Sequence, residues 1–233
     1  MPGGAQDIIN SGALKGIEAI FAVHDAPNFP AGHIGILPKE SASTAGDVFF
    51  LTIQGKGSHG SLPHLGVNPV LVGAEIVTVL QTIVSHNVPP GEMAVVSVGK
   101  FLAGEAPNII PDKAELAGTI RTVTESTRQL IADRIKTIVD SIARANNATD
   151  KLDYDFGYPS VHNDVELVDL ARASAIKILG TDQVADAPRL MGSEDFARYK
   201  DVAPQCLLIL GVGDGFAPHH PKFNPDESAF SKG

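Results

Sequence analysis

The chain has 233 residues, 43% hydrophobic and 19% charged, with 27 acidic against 18 basic side chains and a formal net charge of −9. This is the composition of one large or two modest folded domains with a real core, not of a disordered tail. The acidic balance excludes nucleic acid as the expected partner, because nothing offers the Lys/Arg stripe that phosphate binding needs, and no apolar run of membrane-spanning length is expected.

In chain order, MPGGAQDIINSGALKGIEAIFAVHD places an amphipathic helix at 5–13 and then a strand at 17–23 that ends at His24. An α/β chain of this kind would normally have a strand before that helix, so the opening reads as the middle of a domain. No charged n-region and apolar h-region open the chain, so no signal peptide is expected. The loop DAPNFPAG leads to a short strand at 33–37, and GDVFFLTIQGKG is a strand with a Gly-rich end. NPVLVGAEIVTVLQTIVSH is a long helix, with Asn68 as its N-cap and Pro69 at its first position. MAVVSVGKFLAG and KAELAGTIRTV alternate as strands. ESTRQLIADRIKTIVDSIARANN is a second long helix with Ile131, Ile135, Ile138 and Ile142 on one side, and KLDYDFGYP is a strand.

From 46 to 157 the order is therefore β-α-β-β-α-β, the ferredoxin-like or split-βαβ arrangement. A helix at 164–179, a short helix at 193–199, a strand at 205–211 and the loop GVGDGFAPHHPKFNPDE follow. The flanks 1–45 and 158–233 read as one α/β layer into which 46–157 is inserted. The one cysteine, Cys206, lies in the apolar run CLLILGV and reads as a buried strand thiol. It cannot form an internal disulfide, which suits a reducing compartment, and a cytoplasmic location is expected.

The eight histidines are the informative set, because imidazole is the commonest transition-metal ligand and titrates near neutral pH. His24 closes an apolar strand before Asp25 and a proline-bearing loop, and α/β sheets place ligand sites beyond such strand ends. A strand-end histidine bonded only to backbone is the alternative. His219 and His220 follow the strand at 205–211, with Pro218 and Pro221 fixing φ on either side. Neighbours on extended backbone point in opposite directions, so at most one should face a given metal, and a solvated pair remains equally open. Two strand-end histidines cannot fill a catalytic zinc shell, which takes more protein ligands than that. The acids nearby are Glu194 and Asp195 in MGSEDFARY, whose other reading is a pair of helix N-terminal acids. His59 sits in GKGSHGSLPHLGVNP, where Gly57, Ser58, Gly60 and Ser61 allow close backbone approach; otherwise it is a turn histidine. Asn108 in APNIIPD offers a donor and an acceptor, and Arg121 in GTIR can pair bidentately with a carboxylate, yet each taken alone reads equally as structural. There is no G-x-S-x-G, no Walker-type loop and no C-x-x-C.

Five segments in order and spacing carry a resemblance: GGAQDIINSGALKGIEAIFAVHDAPNFPAGHIGI, GKGSHGSLPHLGVNPV, APNIIPDKAELAGTIR, MGSEDFA and HHPKFNPDESAF. The chain resembles the metal-dependent aminoacylase/carboxypeptidase family of amidohydrolases, and within it the hippurate hydrolase and indole-acetyl-amino-acid hydrolase branch. The resemblance implies an α/β fold in which a zinc-peptidase-like domain is interrupted by a ferredoxin-like lid, with a homodimer formed through the lid. It implies His24 and His219 as metal ligands, with His220 at a variable position. His59 is implied as the lid histidine that stabilises the tetrahedral intermediate in a neighbouring subunit. Asn108 and Arg121 are placed near the substrate carboxyl end, and Glu194 in a motif flanking the site.

The implied reaction is hydrolysis of the amide bond of an N-acyl amino acid or peptide. Two divalent ions (zinc, manganese, cobalt or nickel) activate a bridging water, and a glutamate takes its proton. In the family the cysteine and remaining histidine ligands and the Glu-Glu pair lie upstream of GGA. The catalytic domain is therefore expected to be incomplete and the chain inactive by itself. The alternative is a non-catalytic dimerisation or ligand-binding module derived from such an enzyme.

Overall fold

In the computed structural model, which describes residues 3–233, the first elements are helix α1 (Gly4–Ser11) and strands β1 (Ile20–Ala26), β2 (Ile34–Ile36), β3 (Ala45–Gln54) and β4 (Ser58–His59). Then come α2 (Pro69–His86), β5 (Ala94–Ala103), β6 (Ile109–Ile110), β7 (Lys113–Thr122), α3 (Glu125–Ala145) and β8 (Thr149–Tyr158). Helix α4 (Val165–Leu179), β9 (Val184–Asp186) and β10 (Gln205–Gly211) complete the list, with short 3₁₀ turns between them. The chain divides into two units, one running up to Thr44 and resuming at Tyr158–Gly233, the other being Ala45–Gly157.

In the discontinuous unit a mixed sheet has the order β1-β10-β2-β9. β10 runs parallel to β1 and antiparallel to β2, and β2 runs parallel to β9. All residues of β10 are buried, because it has a neighbour on each edge and packing on each face. Its alternation sends Leu207 and Ile209 to one face against Leu37, Val161 and Phe196, while Cys206, Leu208 and Leu210 meet Ile34, Ile36, Val168 and Ala171 on the other. Burial, with a smaller contribution from Asp164, pushes the Cys206 thiol up to about 11, so it stays protonated and unreactive at neutral pH.

Pairing, not local pattern, sets the limits of β1. The strand expected at 17–23 lies at Ile20–Ala26 because its register matches β10 from Ile20↔Gln205 to Ala26↔Gly211. His24 is accordingly inside the strand, not at its end. α1 stops at Ser11 because Gly12 turns left-handed (φ 74°) and its amide closes on the Ile9 carbonyl. The helix expected at 193–199 is a 3₁₀ segment at Asp195–Asp201.

In the Ala45–Gly157 unit the sheet order is β5-β7-β3-β8, with α2 and α3 packed against it. Phe49, Leu51 and Ile53 of β3 point to the core while Phe50 between them is exposed, a period-two pattern. Ile131, Ile135, Ile138 and Ile142 of α3 are all buried, as the helical period requires. The α2 cap is formed as expected: the Asn68 side chain accepts from the Val70 amide at 3.0 Å, and Pro69 occupies the first turn. α2 is, however, long and apolar enough in length and composition to cross a membrane, which corrects the sequence reading. It packs as a core helix, since Val72, Ile76, Leu80 and Ile83 are buried against the sheet and α3.

The start of β3 and the end of β8, where the chain enters and leaves this unit, are tied by a buried ion pair. Asp47 accepts from Arg128 Nε at 2.9 Å and Nη2 at 2.5 Å, from the Tyr154 hydroxyl at 3.1 Å and from the Gly157 amide at 3.0 Å. Arg128 also donates to the Gly157 carbonyl at 3.1 Å. Burial, then the Asp47 charge, pushes the Tyr154 hydroxyl far above its ordinary range, so it is a permanent donor.

Candidate active site

Parallel β1 and β10 bring their carboxyl ends side by side, and the loops that follow them are knitted together. The Asn28 amide donates to Gly213 O (2.9 Å), Gly213 N to Phe29 O (3.0 Å) and Gly32 N to Gly211 O (2.9 Å). This edge is where α/β sheets present ligands. His24 projects from β1, and its Nδ1 lies 2.7 Å from the Asp25 carbonyl and 3.1 Å from the Asp25 carboxylate. A carbonyl only accepts, so Nδ1 carries the proton and Nε2 keeps its lone pair, the tautomer a metal ligand needs. Nε2 is 3.9 Å from Glu194 Oε2. That is too long for a hydrogen bond and wider than the about 3.3 Å expected between two donors bound at about 2.0 Å around a tetrahedral ion.

Glu194 is carried to this position by Thr44, whose amide donates to Leu190 O (3.1 Å) and whose hydroxyl donates to Met191 O (3.0 Å). Sequence reasoning missed Thr44, which shows no signal beyond a small polar residue near a chain crossing. The neighbouring acids divide their roles. Asp195 accepts from the Ala5 amide in the first turn of α1 at 3.0 Å, so it caps that helix rather than its own. Glu194 faces His24, and burial with a hydrogen bond to Asp195 raises its carboxyl above the usual range, opposed by His24. A raised carboxyl favours the protonated fold. Its stabilising contribution is complete below the unfolded-state value and is lost as pH rises through the raised value. Glu194→Gln is therefore expected to melt above the parent protein near pH 7, with the gap closing by about pH 4. Melting curves that stay parallel across that range would remove the linkage.

His219 departs from the sequence expectation. It is not extended but left-handed, with φ 69°. The His220 amide donates to Ala217 O at 3.2 Å, closing a turn with Pro218 and His219 at its centre. Positive φ at the third residue of a turn, directly after a proline, is the type II pattern, where glycine is usual, so the opposite-pointing argument for the two histidines does not apply. The His219 ring is exposed and has no hydrogen bond among the described residues. As nitrogen donors, His24 and His219 fit a divalent ion. Among the described residues, however, no group of three or more His, Cys, Asp or Glu side chains is gathered to hold one.

In the other unit, β4 and β6 form a two-stranded ribbon with His59 opposite Ile109. The Gly60 amide donates to Asn108 O at 2.8 Å, which sets His59 and Asn108 on one edge. A Cβ at Gly60 would stand 3.1 Å from that carbonyl, so the small residue permits the approach. The Ser61 amide donates to His59 Nδ1 at 3.2 Å, with the Ser61 hydroxyl at 2.8 Å. An amide only donates, so Nδ1 is bare and Nε2–H is the outward donor. The ribbon was not foreseen, because two-residue strands have no periodicity to read. Arg121 does not join this pair. It lies on β7 eight residues beyond Lys113, a rise of about 27 Å from Lys113 along the strand at about 3.4 Å per residue. Its Nη1 donates to the Ile120 carbonyl at 2.9 Å.

The family model described as Peptidase family M20/M25/M40 matches residues 1–233. The N-acetylcysteine deacetylase of Bacillus subtilis (strain 168) is 34% identical over 229 residues, covering 98% of this chain and 59% of that protein. A putative aminohydrolase from methicillin-resistant Staphylococcus aureus superposes with a TM-score of 0.85 at 32% identity, over 98% of this chain and 59% of the other. The Bacillus subtilis YXEP protein, described as a dinuclear metal binding peptidase from the M20 family, superposes with a TM-score of 0.79 at 30% identity, over 97% and 57%. The chain thus spans about three-fifths of the relatives it matches. A whole-length family match, joined to a fold shared with solved M20 structures, places this chain in peptidase family M20/M25/M40.

Proposed function

We propose that the chain forms part of a divalent-metal-dependent hydrolase that cleaves the amide bond of N-acyl amino acids or related peptides. The observation that carries this is His24, whose Nδ1–H is tied to Asp25 while Nε2 stands open beside Glu194 at the carboxyl edge of β1. Similarity to an N-acetylcysteine deacetylase and to a dinuclear metal binding peptidase supports it. The five matching sequence segments favour aromatic acyl groups of the hippurate and indole-acetyl kind. His24 and His219 would hold the metal, with further donors and the general base coming from polypeptide outside these residues. When bound, the metal pair supplies an activated water and a polarised carbonyl.

The chain's own groups have assignable tasks. His59 offers Nε2–H to the developing oxyanion, and Asn108 beside it binds the same part of the substrate. Glu194, biased toward its protonated form, holds or releases a proton on the oxygen that faces His24. Arg121 pairs with a carboxylate. The family resemblance favours a homodimer through Ala45–Gly157, read as a ferredoxin-like lid, with His59 of one copy serving the site of the other. The β5 edge suits this contact, since Val95 and Leu102 are exposed there, whereas β8 carries Asp150, Lys151, Asp153 and Asp155.

The test is a chimera that joins to this chain the part of the Bacillus subtilis N-acetylcysteine deacetylase it does not span, assayed with zinc on N-acetyl and N-benzoyl amino acids. Chelator-sensitive release of free amino acid is expected, and His59→Ala should lower kcat by about 10²–10³. Stoichiometric metal uptake without cleavage of any N-acyl amino acid would overturn the enzyme reading.

A further inference from the structure

The family resemblance gives His220 no role, yet its surroundings give it a defined task. The loop from Phe216 to Phe223 is built as two successive proline turns that share this residue. In the first, Ala217–Pro218–His219–His220, the His220 amide donates to Ala217 O at 3.2 Å. In the second, His220–Pro221–Lys222–Phe223, the Phe223 amide donates to His220 O at 2.9 Å. The ring of His220 fastens both. It stacks on Phe216, just before the first turn, with centroids 4.2 Å apart and planes 7° from parallel. Its Nδ1 accepts from the Lys222 amide, inside the second turn, at 3.1 Å. Lys222 Nζ stands 6.0 Å from the Phe216 ring centroid and closes the cluster.

That bond also decides what His220 cannot do. With Nδ1 accepting from an amide, the proton of the neutral ring sits on Nε2, and no lone pair is left for a cation. His219, by contrast, has a free ring and an unfavourable backbone. A side chain at φ 69° in the position glycine normally fills is strained, and such strain persists only where the surroundings over-determine it.

We propose that His220 is a positioning residue: its ring, stacked on Phe216 and bonded to Lys222, locks the two proline turns and holds His219 left-handed with its imidazole open. The clamp lowers the ordering entropy His219 would otherwise lose on capturing a divalent cation, which is preorganisation of a ligand. The cation in this statement rests on the metal reading above, while the clamp itself does not.

The experiment is NMR on the intact chain carrying His220→Ala, His220→Phe or His219→Gly, with zinc ion alone as probe. His220→Ala is expected to lower exchange protection at the Lys222 and Phe223 amides by about tenfold and to average the His219 backbone coupling. His220→Phe, which keeps the stack, should retain most of that order. His219→Gly should raise the melting temperature by relieving the strain. In the parent chain the His219 ring nitrogens should shift with zinc, at about tenfold lower zinc concentration than in His220→Ala. Unchanged protection and coupling in His220→Ala would overturn the clamp. A His219 ring indifferent to zinc in the parent, with the amide differences intact, would instead overturn the metal reading and leave the clamp standing.

Discussion

Arg128→Ala is expected to destabilise the Ala45–Gly157 unit by about 3–5 kcal/mol, the cost of stranding a buried carboxylate. Asp47 and Arg128 are 1% and 5% exposed, so water cannot replace the lost partner. The pair also satisfies the Gly157 amide and carbonyl and the Tyr154 hydroxyl, so its removal unpins β3 from β8 as well as removing a charge. The comparison that isolates the charge is a double variant, Asp47→Leu with Arg128→Met. It should recover much of the loss, because a matched apolar pair has no ion to desolvate. Hydrogen exchange of the β3 and α3 amides reports this unit separately from the other. A loss below about 1 kcal/mol in Arg128→Ala would show the pair to be solvated in solution.

The second large effect is at Gly211, the last residue of β10. A Cβ there would fall on the Pro30 carbonyl oxygen and stand 2.8 Å from that of Phe29. Neither obstacle is a flexible side-chain end, so the backbone itself must move. Gly211→Ala is expected to cost about 3 kcal/mol, the upper end of overpacking, and to loosen the bonds that knit 27–32 to 211–215. Those loops adjoin His24 and lead into the His219 turn, so zinc response at both histidines should weaken with it. Gly215→Ala is the control: nothing stands within 4 Å of its Cβ, and its effect should stay within about 0.5 kcal/mol. Equal stabilities for the two variants would mean the loops separate in solution.

The long elements were legible because their burial is periodic. Ile131, Ile135, Ile138 and Ile142 announce α3, and the Asn68–Pro69 start announces α2, since a cap and a face are both local properties. β10 was also legible, as an unbroken apolar run must be buried on both faces. β1 was misplaced by three residues because its limits come from the length of its partner, which local pattern does not contain. The β4–β6 ribbon and the 3₁₀ segment after Glu194 are too short for any period.

Of the site, the residue types and their loops could be read in advance, together with the family resemblance they carry. By itself the sequence determined the α/β class, the order of elements, the two long helices and the set of polar side chains available for chemistry. Only the tertiary structure decided which of those groups meet. Asp195 turned to cap α1 while Glu194 turned to His24, His59 found Asn108, and Arg121 was left at the far end of β7. It also decided the protonated nitrogen of His24, His59 and His220, because a tautomer is set by the carbonyl or amide beside the ring. Those neighbours come from hydrogen-bond geometry, and periodicity in a sequence carries no information about it.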